Sequence, residues 1–136
     1  MKTATGLLLA AAAPALALTM ANPASAQSCD RQCLVDLSDR YAQALIDDNP
    51  GAVRWASGAV VVENQAAIAP GEGAFDTITG DGTDSYALHV ADPVNGQVGQ
   101  LRMMVEGTAP VFIGFRLKVD ASGAITEAEH IVARNL

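Results

Sequence analysis

Lysine is almost missing from this chain. Two occur in 136 residues, Lys2 and Lys118, and 15 Asp and Glu against 8 Lys and Arg give a formal charge of −7. A surface of that sign repels phosphate backbones and anionic headgroups, so neither nucleic acid nor a membrane surface is an expected partner. Aromatic residues are equally scarce, at 4%. Each of Tyr41, Trp55, Phe75 and Tyr86 therefore counts, as core or as pocket wall. "GEGAFD" lacks the third glycine and the strand-to-helix frame of a dinucleotide fingerprint, and no phosphate loop, G-x-S-x-G elbow or H-E-x-x-H occurs. "GDGTD" lacks the spacing and closing Glu of a calcium loop. The two cysteines find no matching Cys/His pair to complete a zinc set. No cofactor and no metal is expected.

The opening "MKTATGLLLAAAAPALALTMANPASAQ" combines Lys2, an apolar run from Leu7 to Ala21, and Ala24-Ser25-Ala26, the small-x-small pattern of a signal-peptidase site. Pro14 and the missing charged flank argue against a retained anchor. Residues 1–26 are thus read as a signal peptide, and residues 27–136 as one exported domain, periplasmic or secreted, that no longer associates with a membrane. Loss of Lys2 takes the formal charge from −7 to −8. A chain of that size buries about 60–70% of its unfolded surface, enough for one core. Cys29 and Cys33 lie four residues apart in "CDRQC". In an oxidising compartment they are expected to form a disulfide, since one helical turn brings their Cα atoms to about 6 Å.

Leu34, Leu37, Tyr41 and Leu45 recur at offsets of three and four, which predicts an amphipathic helix from Asp30 up to "DNPGA". Ala52 to Ala56 reads as a short second helix and Ala59 to Asn64 as a first strand. The glycine-rich middle that follows reads as loop with a turn of helix near Phe75. Four strands then come in succession, Ser85 to Ala91, Gln97 to Glu106, Val111 to Asp120 and Ala124 to Ala133. The short turns "DPVNG", "GTAP" and "ASG" make them an antiparallel meander, and the helix must cover one face of it.

This layout, from "CLVDLSDRYAQALIDDNP" to "ITEAEHIVAR", resembles the SnoaL-like, or nuclear transport factor 2-like, superfamily. "VVENQ" and the hairpin "FRLKVDASGAITEAEHIVAR" carry the likeness most directly. The resemblance implies an α+β cone in which a strongly curved antiparallel sheet wraps a pocket against the helix, often in a homodimer. It implies no single reaction, because the superfamily holds ketosteroid isomerase, scytalone dehydratase, limonene epoxide hydrolase, polyketide cyclases and many non-catalytic binders. No residues here map onto the Asp-Arg-Asp set of limonene epoxide hydrolase. His89, His130, Tyr41 and Tyr86 are too few for the paired histidines and tyrosines of scytalone dehydratase.

The last strand sorts Ile125, Glu127, Glu129 and Ile131 onto one face and Thr126, Ala128, His130 and Val132 onto the other. If the first set faces inward, Glu129 is the catalytic acid or base, with its pKa raised by desolvation; if the second does, His130 is. The competing reading is a solvated face whose acids pair with Arg116 or Arg134. Glu63 and Asn64, at a strand end before the long loop, are placed to orient a carbonyl or water, or simply to turn the chain. His89, between Ala87 and Ala91 in its alternation, is a third catalytic candidate. Arg102 and Arg116 are placed to meet a ligand carboxylate or the acidic surface, and Tyr41, Trp55 and Tyr86 to line the pocket. Two functions follow from these residues. One is an exported binding or interaction module that takes a small apolar ligand in the pocket without turnover, or that uses the sheet's outer face to dimerise. The alternative is a cofactor-independent lyase, isomerase or hydrolase using Glu129 or His130.

Overall fold

The structure, a computed structural model, describes residues 29–82 and 86–135. The leader read at residues 1–26 lies outside them, as does Ser85, the expected start of a strand. Helix α1, Arg31–Ile46, forms over the predicted amphipathic stretch. The Asp30 carboxylate caps it by accepting the Cys33 N–H at 2.9 Å, satisfying one of the free donors of the first turn. Leu34, Leu37, Tyr41 and Leu45 form its buried face, with Ser38 among them donating its hydroxyl back to the Val35 carbonyl at 2.8 Å. Cys29 and Cys33 are joined across the helix start, with Cα atoms 5.2 Å apart. No described helix is long and apolar enough to cross a membrane.

The expected second helix at Ala52 to Ala56 is instead a 3₁₀ turn, Pro50–Ala52, and Trp55 opens strand β1, Trp55–Glu63. The Trp55 indole N–H donates to the Pro50 carbonyl at 3.0 Å, so the ring is fixed to the turn before it. The middle of the chain is more structured than its glycines suggest. It holds β2, Ala66–Ile68, then α2, Ala74–Thr77, and β3, Ile78–Asp81. Phe75 and Ile78 are buried there and supply the apolar anchor a bare loop would lack. The meander follows as β4, Ala87–Asp92, β5, Gln97–Glu106, β6, Ala109–Val119, and β7, Ile125–Ala133.

These strands make one seven-stranded sheet in the order β2-β1-β7-β6-β5-β3, with β4 also on β5. It curls around α1 without closing. The antiparallel expectation needs correcting at one joint: β1 runs parallel to β7, with Val61 opposite Ala128 and Glu63 opposite His130, so the sheet is mixed. A parallel pair needs a long crossover, and here the entire rest of the sheet supplies it. One face turns inward to α1, carrying Val98 and Met104 of β5, Ile113, Phe115 and Leu117 of β6, and Ala128 and Val132 of β7. Each such aliphatic side chain contributes about 1.5–3 kcal/mol by leaving water.

Candidate functional site

The strand alternation resolves in favour of the histidine face. From Ala128 onward β7 sends Ala128, His130 and Val132 inward, and Glu129 and Ile131 outward. The rule fails at Ile125, which is fully buried, because the β6–β7 register shifts between Lys118 and Val119.

His130 is 0% exposed and sits between two partners. Its Nε2 lies 2.7 Å from the Tyr41 hydroxyl, and its Nδ1 lies 3.3 Å from Glu63 Oε2. The register of β1 on β7 places Glu63 directly opposite His130, and α1 brings Tyr41 over the ring. The Ala74 N–H at the start of α2 donates to the same Glu63 oxygen at 2.8 Å, and Arg134 approaches the other at 3.7 Å. The hydrogen bond from His130 holds the Glu63 carboxyl below the usual carboxylate range; the Ala74 N–H and Arg134 act in the same sense, and partial burial opposes them. An ionised Glu63 can only accept, so it selects the Nδ1–H form of His130 and leaves Nε2 to accept from the Tyr41 O–H. Burial, and then the Glu63 charge, push the Tyr41 phenol well above its ordinary value.

The network continues outward. Arg134 forms two 2.7 Å bonds to Glu106, which also accepts from Thr77 at 2.7 Å. Asn64 adopts positive φ, 44°, and its side chain pairs with the Val132 N–H at 3.0 Å and carbonyl at 3.2 Å, extending β1 by one rung. A carboxylate, an imidazole and a phenol in line can hold or shift a proton. No face of His130 is open to a ligand, however, because the ring is enclosed with Tyr41, which packs at centroid distances of 5.2 Å on Phe115 and 5.6 Å on Phe75.

The remaining sequence candidates fall elsewhere. Glu129 points outward with its side chain 50% exposed, 3.4 Å from Arg116, so it is not enclosed among apolar groups as the catalytic reading required. Arg116 also bonds Glu127 and Gln97, each at 3.0 Å, and Lys118 bonds Glu127 at 3.0 Å. His89 faces inward at the sheet edge, where Asp39 of α1 lies 2.8 Å from its Nε2 and also accepts from Gln100 at 2.8 Å. Beside it Arg102 pairs with Asp81 through bonds of 2.8 and 2.7 Å. Gln100 Oε1 is the one buried side-chain polar atom without a hydrogen-bond partner among the described residues. Trp55 is a partly buried wall of the core, and Tyr86 is exposed. Among the described residues no group of three His, Cys, Asp or Glu is gathered closely enough to hold a metal ion.

Sequence reasoning named the sheet's outer face only as a surface for dimerising and did not foresee a groove on it. Val60, Leu88, Val90, Leu101 and Ile131 are all exposed there, Val90 and Ile131 at 65% and 63%. Gly99 and Gly114 leave space among Leu88, Val90, Leu101 and Ile131 for a groove of about 250 Å³, which Arg116 and Glu129 also line. A second depression of about 320 Å³ runs past Val60 and Val62 on the other side of the same charges. The signal was present: Val60 and Val62 on β1, and Leu88 and Val90 on β4, stand at alternate positions of their strands, apolar rows that a face in contact with water alone does not need.

No family model matches the chain, and no curated protein matches it.

Proposed function

We propose that this chain is an exported binding domain of the SnoaL-like class, and that its outward groove takes a small apolar ligand without chemical turnover. The class is supported by the order of elements, by a curled sheet wrapped on one long helix, and by β1 lying beside the last strand. Export is supported by the leader pattern and by a cysteine pair at disulfide distance. The observation that carries the binding reading is the groove itself. Leu88, Val90, Leu101 and Ile131 surround two glycines whose missing side chains create the space, on a face that α1 does not cover. Leaving such a cluster in water forfeits about 25 cal/mol per Å² that an apolar partner would recover.

Gly99 supplies the test. A Cβ built there meets nothing closer than 3.7 Å, so a larger residue fills the groove without straining the backbone. We predict that the neutral fluorophore N-phenyl-1-naphthylamine binds the wild-type chain and that Gly99→Leu weakens it at least tenfold with the unfolding midpoint unchanged. Equal binding by both proteins would place the ligand elsewhere. The acid–base alternative has less support, since His130 is enclosed and Glu129 is ion-paired in water.

A further inference from the structure

The flank of α1 beside β4 and β5 holds a second polar cluster, apart from the line of Tyr41, His130 and Glu63 and on the other side of the sheet from the groove. The register of β4 on β5 sets His89 directly opposite Gln100, and Asp39 reaches both from the helix. His89 Nε2 lies 2.8 Å from Asp39 Oδ1, Gln100 Nε2 lies 2.8 Å from the same oxygen, and the two nitrogens are 2.5 Å apart. The three atoms form a closed triangle. With Asp39 ionised, no distribution of protons satisfies all three of its edges. An N–H of His89 and one of Gln100 can both point at the carboxylate, but the two nitrogens then face each other with no acceptor between them. A half-turn of the amide puts Oε1 where Nε2 stood and mends that edge, yet it sets two acceptors, Oε1 and Oδ1, against each other. Gln100 is 2% exposed and its Oε1 has no hydrogen-bond partner among the described residues, so nothing at the far end holds the amide to either orientation.

A cation removes the conflict, because it calls for three lone pairs at one place and for no proton. We propose that Asp39, His89 and Gln100 are the protein ligands of a site for a six-coordinate first-row divalent cation, of the Mn²⁺, Fe²⁺, Co²⁺ or Ni²⁺ kind. The ligand atoms are Asp39 Oδ1, His89 Nε2 and, after the half-turn, Gln100 Oε1. Atoms held about 2.1 Å from one ion stand about 3.0 Å apart on the face of an octahedron and about 3.4 Å apart on a tetrahedron. Edges of 2.5 and 2.8 Å are nearer the first, which favours six ligands over the four of a structural zinc site. The imidazole argues against Ca²⁺ and Mg²⁺, which take oxygen ligands.

Charge and access agree with this assignment. Arg102, opposite Ala87 in the register, holds Asp81 through two bonds, and its Nη1 lies 4.0 Å from Asp39. The pair of Arg102 and Asp81 carries no net charge, so the negative charge of Asp39 is left to face the ion. The Asp39 side chain is 51% exposed and that of His89 22%, so an ion reaches the triangle from solvent while the buried Gln100 forms its base. Three positions of the octahedron then remain for water. The set contains only two of the usual His, Cys, Asp and Glu ligands; its third member is an amide oxygen, which cations accept in oxygen-rich sites.

Cobalt(II) alone serves as the probe, added to the chain purified without an affinity tag and freed of metal by a chelator. Isothermal titration calorimetry is expected to find one ion per chain. His89→Ala removes the one imidazole an ion can reach, since His130 is enclosed. Gln100→Leu keeps the size of its side chain and removes the oxygen. Each should lower the affinity for cobalt at least about tenfold. Gln100→Glu is the variant whose result a folding defect cannot mimic. A second carboxylate beside Asp39 repels it when no metal is present, and binds a divalent ion more strongly than an amide does. This chain should therefore melt below wild type when metal-free, bind cobalt at least about tenfold tighter, and gain more in melting temperature when cobalt is added. A wild type that binds no cobalt would overturn the proposal. So would a His89→Ala chain that binds it as tightly as wild type, which would leave an adventitious ion only, held elsewhere on an acidic surface. A Gln100→Glu chain that binds no tighter than wild type would remove the amide from the site and overturn it as well. The groove reading stands or falls separately, on probe binding in Gly99→Leu.

Discussion

Removing one oxygen from the core, in Tyr41→Phe, should cost more than its size suggests. The ring keeps its packing on Trp55, Phe75 and Phe115, so no cavity forms. What disappears is the donor 2.7 Å from His130 Nε2, at a place where both residues are 0% exposed. Water cannot replace that donor without opening the helix–sheet seam, and a stranded buried acceptor costs about 1–3 kcal/mol. In urea, with a slope of about 1–3 kcal/mol per molar, the midpoint should fall by about 1 M, read by far-ultraviolet circular dichroism. The double variant Tyr41→Phe/His130→Leu leaves no acceptor stranded, so adding Tyr41→Phe to His130→Leu should cost little. The two changes are then strongly non-additive, as expected of groups in one buried bond. A midpoint for Tyr41→Phe within about 0.2 M of wild type, with an additive double variant, would refute the bond as a determinant of stability.

Three further predictions concern the same network and the helix start. The stability contributed by Glu63, whose pKa is lowered, is present above the ordinary carboxylate range and is lost as pH falls through its folded value; that of Tyr41, whose pKa is raised, is complete below about pH 10 and is lost as pH rises beyond it. Melting temperatures across pH should therefore drop at both ends, and Tyr41→Phe should abolish the alkaline drop; an unchanged alkaline limb would exclude Tyr41 as its source. Gly73 has φ +70°, and a Cβ there would stand 2.6 Å from Glu63 Oε2 and 2.9 Å from Ile68 Cδ1, whereas Gly51 meets nothing nearer than 3.4 Å. Gly73→Ala should thus lower stability in a urea titration by about 1–3 kcal/mol, with Gly51→Ala as the mild control. Reducing Cys29–Cys33 opens a loop of only about five residues, worth about 2 kcal/mol by chain entropy. Thermal unfolding with and without a reductant should show a small shift and a retained fold; collapse on reduction would mean that the pair does more than pin the start of α1.

What could be read from the sequence was whatever a single element determines for itself. Leu34, Leu37, Tyr41 and Leu45 mark α1 because a helix shows its buried face every three to four residues. Gln97 to Glu106 was readable to the residue because Asn95-Gly96 and the glycine at 107 bracket it. The parallel join of β1 to β7 was not readable, since it links segments more than sixty positions apart and no local turn announces it. Nor was the triad readable, although His130, Glu63 and Tyr41 were each singled out. Only the β1–β7 register and the crossing of α1 bring them together, and the alternation of β7 left both of its faces open. Asp39 and Gln100 escaped notice because an acid on the solvent side of a helix and an amide in a strand carry no signal until His89 lies beside them.

The juxtaposition of Glu127, Glu129 and His130 in the final strand has a physical consequence beyond any single contact. Side chains on a strand alternate, so a slip of one residue between β7 and its neighbours would exchange the two faces completely. In the observed register His130 meets Tyr41 and Glu63 inside, while Glu129 and Glu127 meet Arg116 and Lys118 outside. In the slipped register a glutamate would stand against Tyr41, Phe75 and Phe115, unpaired and out of water, at a cost of several kcal/mol. The outward ion pairs, half in solvent, add little stability of their own. Their acidic members nevertheless exclude the wrong pairing, and by doing so hold Ile131 next to Gly114 and keep the apolar groove on the face that α1 leaves bare.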